Sequence, residues 1–179
     1  MPSDDREDRF NRLVREHGDE VHRYLRRRYR GGDATDVEDL LADVMAIAWR
    51  RLDDVPRDAE APWLFGVARR RLSNARSRQV RRDRIVAPLR PQGASPPAED
   101  VAIAALSLRE ALASLPEKER EALTLTAWEG LGPEELAIAL GVTVNAAAIR
   151  LSKAKVKLLG LLAEGSRESS ASLATPSQT

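Results

Sequence analysis

An all-α fold, two small helical domains joined by a flexible Pro-rich linker with the second a helix-turn-helix, is predicted by three observations. Apolar residues recur at helical spacing in almost every long segment, and no convincing alternating strand is found. Pro88, Pro91, Pro96 and Pro97, with Gly93, mark a linker that cannot belong to a core. Residues Leu131 to Leu158 read as two short helices about a tight turn. There Pro133 suits a first helical position, where its missing N–H costs nothing. Gly141 can adopt the left-handed conformation that ends a helix, and Thr143 can cap the next one.

The elements follow in order. A first helix is expected over 8–18, with Phe10, Leu13 and Val14 inward, and a second over 19–30, with Val21, Tyr24, Leu25 and Tyr29 inward. Gly31, Gly32 and Asp33 break the chain. A third helix starts near Asp36 and buries Val37, Leu40, Leu41, Val44, Ile47 and Ala48; Pro56 and the polar stretch 53–60 end it. A fourth opens at Pro62 and carries Trp63, Leu64, Val67, Ala68 and Leu72 before running into arginines. Beyond the linker, 101–114 is an Ala/Leu-rich helix, and another runs from Pro116 to about Trp128. The helix-turn-helix comes next. Residues 164–179 are rich in Ser, Ala and Thr, carry no buried stripe and are expected to be a disordered tail. The domains predicted are therefore 1–86 and 102–163, with 87–101 as linker.

Composition removes several function classes. With no Cys among 179 residues there is no disulfide, thiolate zinc site or cysteine nucleophile. The two histidines, His17 and His22, sit among charged neighbours and read as surface residues. No Ser/His/Asp set, metal cluster or Gly-rich phosphate loop is evident, so neither an enzyme nor a bound cofactor or metal is expected. No apolar run approaches the ~18 residues needed to span a membrane, and the polar, acidic N-terminus is the opposite of a secretory signal. No membrane insertion and a cytoplasmic location are expected.

Net charge is only +1, but its distribution is informative. Residues 33–60 hold nine acids and three bases; residues 61–86 hold eight arginines (69, 70, 71, 76, 78, 81, 82 and 84), no lysine and one acid. The alternation repeats: 96–140 has nine acids and three bases, and 141–163 has four bases and no acid. Such blocks imply one surface for a basic partner and another for a polyanion. An acidic helix followed by a basic one suits a helix-turn-helix that lays its second helix on DNA.

Four motifs stand in order along the chain: 36–50 with its acids and Ala48-Trp49-Arg50; Pro62-Trp63-Leu64-Phe65-Gly66-Val67-Ala68-Arg69; Leu115-Pro116-Glu117-Lys118-Glu119-Arg120; and the helix-turn-helix. Each is weak alone. Their order and separations resemble bacterial sigma factors of the sigma-70 superfamily, in the small, two-domain extracytoplasmic-function (ECF) group, over residues 8–163. The resemblance implies that 1–86 is a region 2-like domain that docks on core RNA polymerase and reads the −10 element. Residues 102–163 would be a region 4-like domain for the −35 element. It implies as partners the polymerase β′ clamp helices and β flap, promoter DNA, and an anti-sigma factor of the kind that commonly holds such proteins inactive.

The implied sites can be placed on residues. Asp36, Asp39 and Asp43 share one helical stripe by i, i+3, i+7 spacing, and with Leu40 form the set expected to meet the polymerase. Arg69, Arg70, Arg71, Arg78, Arg81 and Arg82 suit phosphates and base edges, because a guanidinium is planar and bidentate. Trp63 and Phe65 offer faces to an unpaired base, although a tryptophan at a helix start is more often core, and Trp63 and Trp49 are read so. Many relatives have an asparagine where this chain has Arg70, a donor that cannot accept. On the recognition helix, Ala147, Leu151, Ala154 and Leu158 should face the core. Thr143, Asn145, Ala146, Ile149, Arg150, Ser152 and Lys153 are left for the −35 element. The alanines and Ile149 can touch only thymine methyls, so direct base reading there should be modest and shape readout correspondingly larger. A stand-alone helix-turn-helix regulator is the alternative, but it leaves the acidic helix and first domain without a role.

Overall fold

The computed structural model describes the backbone over residues 2–29, 34–83 and 99–173, with side chains over 5–29, 36–78 and 106–165; the proline-rich linker and Arg84 lie outside the described residues. The described residues form seven α-helices and one 3-10 turn, with no strand among them. The helices are α1 (Pro2–Arg28), α2 (Ala34–Arg50), α3 (Glu60–Asp83), α4 (Glu99–Ser114), α5 (Glu117–Glu129), α6 (Pro133–Leu140) and α7 (Val144–Leu173), with the turn at Leu52–Asp54. By their contacts they group into two compact units. One is drawn from Met1–Arg90 and Leu131–Thr143, the other from Pro91–Gly130 and Val144–Thr179.

In the first unit α1, α2 and α3 pack pairwise, and α6 packs on α3. Leu13, Val21, Tyr24 and Leu25 of α1 meet Val37, Leu40, Val44 and Ala48 of α2 and Leu64, Phe65, Ala68 and Leu72 of α3 in a buried core. Two arginines near the start of α1 tie down the turn after α2. Arg6 donates to Asp53 at 2.7 Å and to the Trp49 carbonyl at 2.8 Å; Arg9 donates to the Val55 carbonyl at 2.7 Å.

The break expected near Gly18 is absent: α1 is continuous from Pro2 to Arg28. Leu13, Val21, Tyr24 and Leu25 stay in register on one face across the glycine, and burial of that face outweighs the ~1 kcal/mol by which glycine is a poorer helix former than alanine. A Cβ at Gly18 would meet only Val14 Cγ1, at 3.8 Å, an ordinary contact. Gly18→Ala is therefore expected to stabilise the protein by about 0.5–1 kcal/mol, read as a higher denaturant midpoint.

α6 carries both of the signals expected of it. Pro133 opens the helix, and the Glu135 carboxylate accepts the Gly132 N–H at 2.8 Å. Gly141 is left-handed at φ 66° and ψ 42°. Its N–H donates to Ile138 at 3.2 Å, and the Val142 N–H donates back to Ala137 at 3.1 Å, which satisfies the last carbonyls. α7 begins at Val144, directly after Thr143.

In the second unit α7 packs on α5 and α4 over Ala111, Leu115, Ala122, Leu125, Ala147 and Ala154. Small residues at the α7 contacts let the backbones approach, and Lys157 donates to Glu119 at 2.7 Å. α7 continues to Leu173, past residue 163 where the tail was expected to begin. Ala, Leu, Glu and Arg within 164–173 are good helix formers and extend a helix already nucleated.

Candidate nucleic-acid and polymerase interfaces

α3 sorts its arginines by what lies beside them. Arg69 donates to the Leu140 carbonyl at 3.2 Å, Arg71 to Asp43 at 2.6 Å and Arg76 to the Arg28 carbonyl at 2.8 Å. These three fasten α3 to α6, α2 and α1. Arg70 and Arg78 are exposed, and with exposed Asn74 between them they form an i, i+4, i+8 stripe. Partial burial, and then the charges of Arg69 and Arg51, hold the Arg70 guanidinium below its ordinary value. Arg81 and Arg82 continue α3, with side chains outside the described residues. Asn74 was not singled out in the sequence; its only signal is its place midway between two outward arginines.

Among the aromatics, Phe65 departs from expectation. It is 3% exposed and tilts against Tyr24 with ring centroids 5.2 Å apart, so its faces belong to the core and not to an incoming base. Trp63 is half-buried, with the Arg51 guanidinium 5.7 Å from its ring centroid. Trp49, expected in the core, is 37% exposed. It sits at the end of α2, edge-on to Phe10 at 5.2 Å and under Arg6 at 5.3 Å.

On α2, Asp36 and Asp39 are exposed. Tyr29 Oη lies 3.5 Å from Asp36, too long for a strong hydrogen bond. Asp43 is half-buried and engaged by Arg71. Leu40 is 6% exposed and faces the core, as its place in the apolar stripe requires, so it is withdrawn from the surface set. Glu38 is exposed beside Asp39 and adds to the acidic face.

On α7, Asn145, Ile149, Ser152 and Lys153 point outward, Ala146 and Arg150 are half-buried, and Thr143 before the helix is exposed. Ala147 and Ala154 are fully buried, and Leu151 and Leu158 half-buried, which matches the core face expected of them. Ser152, Lys153, Val156, Lys157 and Glu119 line a shallow, open depression.

His17 is not a plain surface residue. Its Nδ1 lies 3.5 Å from Glu20 and its Nε2 3.6 Å from the buried Glu60, and ligand atoms of Glu16, His17 and Glu60 fall within 4.8 Å of one another. Arg9 stands 3.9 Å from Glu60, however, and its charge opposes a cation there. No single helix among the described residues is long and apolar enough to cross a membrane.

The chain thus carries an acidic face on α2, outward guanidinium groups on α3 and a basic helix, α7, that follows the Gly141 turn. Comparison with known proteins gives its class. Residues 13–82 match the model for Sigma-70 region 2 and residues 105–158 that for Sigma-70, region 4. The chain is 32% identical over 162 residues to the RNA polymerase sigma factor NccH of Alcaligenes xylosoxydans xylosoxydans, covering 86% of each chain. It is also 32% identical over 166 residues to the sigma factor CnrH of Cupriavidus metallidurans, again with 86% of each covered. The structure of CnrH in complex with the cytosolic domain of CnrY superposes with a TM-score of 0.57 at 29% identity, covering 87% of this chain and 88% of that one. RpoE from Bartonella quintana, solved with the anti-sigma factor NepR, shares the fold at a TM-score of 0.56 and 21% identity, covering 86% and 96%. The chain belongs to the sigma-70 family, in its ECF group, and is an RNA polymerase sigma factor.

Proposed function

We propose that the exposed acids of α2, Asp36 and Asp39 with Glu38, dock the protein on the basic β′ clamp helices of core RNA polymerase, while α3 reads and holds the opened −10 element. α7 contacts the −35 element through Asn145, Ile149, Ser152 and Lys153, with Arg150 and Lys153 suited to phosphates. The observation that carries this reading is the stripe Arg70, Asn74, Arg78 on α3: two planar cations and an amide, open to solvent, suited to a phosphate backbone and base edges. Catalysis belongs to the polymerase, and the protein acts in the cytoplasm. A partner protein, as CnrH has in the cytosolic domain of CnrY and RpoE has in the anti-sigma factor NepR, is proposed to hold it inactive; its class would be that of an anti-sigma factor.

In vitro transcription over a randomised promoter library tests the reading. With core polymerase the protein should select −10 and −35 sequences, and alone it should bind promoter DNA poorly. Tight sequence-specific binding by the free protein as a dimer would instead identify a stand-alone regulator.

A further inference from the structure

Arg6, Arg9 and Phe10 share one face of α1 by i, i+3, i+4 spacing, and that face meets the joint between α2 and α3. Arg6 spreads its fork over two acceptors there. Its Nη1 donates to Asp53 Oδ2 at 2.7 Å and its Nη2 to the Trp49 carbonyl at 2.8 Å. Arg9 Nη2 donates to the Val55 carbonyl at 2.7 Å, and the Phe10 ring stands edge-on to Trp49 at 5.2 Å. Trp49 lies in the last turn of α2 and Val55 ends the 3-10 turn. Carbonyls at such ends have no partner within their own helix, and the helix dipole favours a cation beside them. Little stability depends on Arg6 itself, because the side chains of the Arg6–Asp53 pair are 32% and 84% exposed. What a planar fork on two separate acceptors sets is direction.

We propose that Arg6 is a positioning residue for promoter selection: by clasping Trp49 and Asp53 it fixes the joint through which α2, held on the polymerase, aims α3 at the −10 element. The inference rests on the assignment of α2 to the polymerase and of α3 to the −10 element. The chain passes from one helix to the other over residues 51–59, so any tilt of α3 against a fixed α2 is absorbed there. Farther along, Arg71 of α3 is tied to Asp43 of α2 at 2.6 Å. Ties at two separate points, unlike one, fix an angle. The joint also carries Arg51, whose guanidinium carbon is 5.7 Å from the ring centroid of Trp63 in the first turn of α3. After partial burial and Arg69, Arg51 is the third influence that holds the Arg70 guanidinium below its ordinary value, so a shift of the joint is felt at the outward stripe of α3. Arg6 precedes residues 13–82, the stretch that matches region 2, and stands far from the arginine block. Neither the match nor the charge runs point to it.

The test uses holoenzyme assembled from core polymerase and the full chain, transcribing a library randomised at both promoter elements. Arg6→Ala is expected to flatten the −10 base preferences about fivefold to tenfold. The −35 preferences, the affinity for core polymerase and the thermal midpoint of the free chain should stay nearly unchanged. Arg6→Lys keeps the charge but reaches one acceptor at a time, so it should recover only part of the loss. Asp53→Ala alone should cost less than Arg6→Ala, because the bond to the Trp49 carbonyl remains. Added to Arg6→Ala, it should cost nothing further, since both changes act on one clasp. Unaltered −10 preferences in Arg6→Ala, or losses from the two substitutions that simply add, overturn the proposal. So does an equal loss at −10 and −35 with a lowered midpoint, which would make Arg6 a stabilising contact and nothing more. Failure of the unaltered holoenzyme to select any −10 sequence overturns the assignment of α3, and the clasp with it.

Discussion

Replacing Arg70 and Arg78 together by alanine is expected to lower promoter-directed transcription by about two orders of magnitude, roughly tenfold for each arginine that contacts DNA. Thermal stability should stay unchanged, because both side chains are exposed. The salt dependence of strand binding should flatten as well, by a log–log slope of about 0.7 for each phosphate contact removed from a single strand. Arg71→Ala is expected to behave in the opposite sense. It breaks the 2.6 Å pair with Asp43 that joins α3 to α2, so its first effect is on unfolding; with both partners partly exposed, the loss should be no more than about 1 kcal/mol. Transcription at graded salt, run beside thermal unfolding, separates the two classes. A loss with Arg71→Ala as deep as that of the double variant, at unchanged stability, would contradict the sorting of these arginines into outward and inward.

That sorting could not be reached from the charge block alone. A run of eight arginines announces a polyanion partner, but which of them are used internally depends on the carbonyls and carboxylates that other helices bring: Leu140 from α6, Asp43 from α2, Arg28 from α1. The helical spacing of α2 and α7 located their buried faces well, because each is packed along a limited stripe. α3 defeats the same reasoning. Its residues from Leu64 to Ala68 are buried five in a row, since α1, α2 and α6 surround it, and periodicity says nothing about a helix enclosed on several sides. Phe65 is buried for that reason. Trp49 is the opposite case: its spacing fits the stripe of α2, but it falls at the helix end, where the bundle no longer covers it. Leu40 shows a simpler conflict. Its spacing fits both the apolar stripe and the docking set, and its burial places it in the stripe. The motifs that carry the family, being local in sequence, were readable throughout.

Gly66→Val is expected to loosen α6 from α3, with a destabilisation of about 1–3 kcal/mol from overpacking. A Cβ built on Gly66 would stand 3.0 Å from the Ala139 carbonyl oxygen and 3.5 Å from its Cα. The obstacle is backbone, which cannot turn aside as a side chain can. Alanine at this position sets two effects of similar size against each other: the ~1 kcal/mol of helix propensity it gains over glycine and the crowding of that single methyl. Gly66→Ala should therefore come out near neutral, whereas the branched methyls of valine leave no such balance. Hydrogen exchange reads the outcome locally. The Gly141 and Val142 amides, bonded to Ile138 and Ala137, should lose protection in Gly66→Val, while core amides around Leu13 and Val44 keep theirs. Arg69→Ala, which removes the bond to the Leu140 carbonyl without adding bulk, should move the same amides in the same direction by a smaller amount. If Gly66→Val left them fully protected, the close approach of α6 to α3 would not be what requires a glycine here.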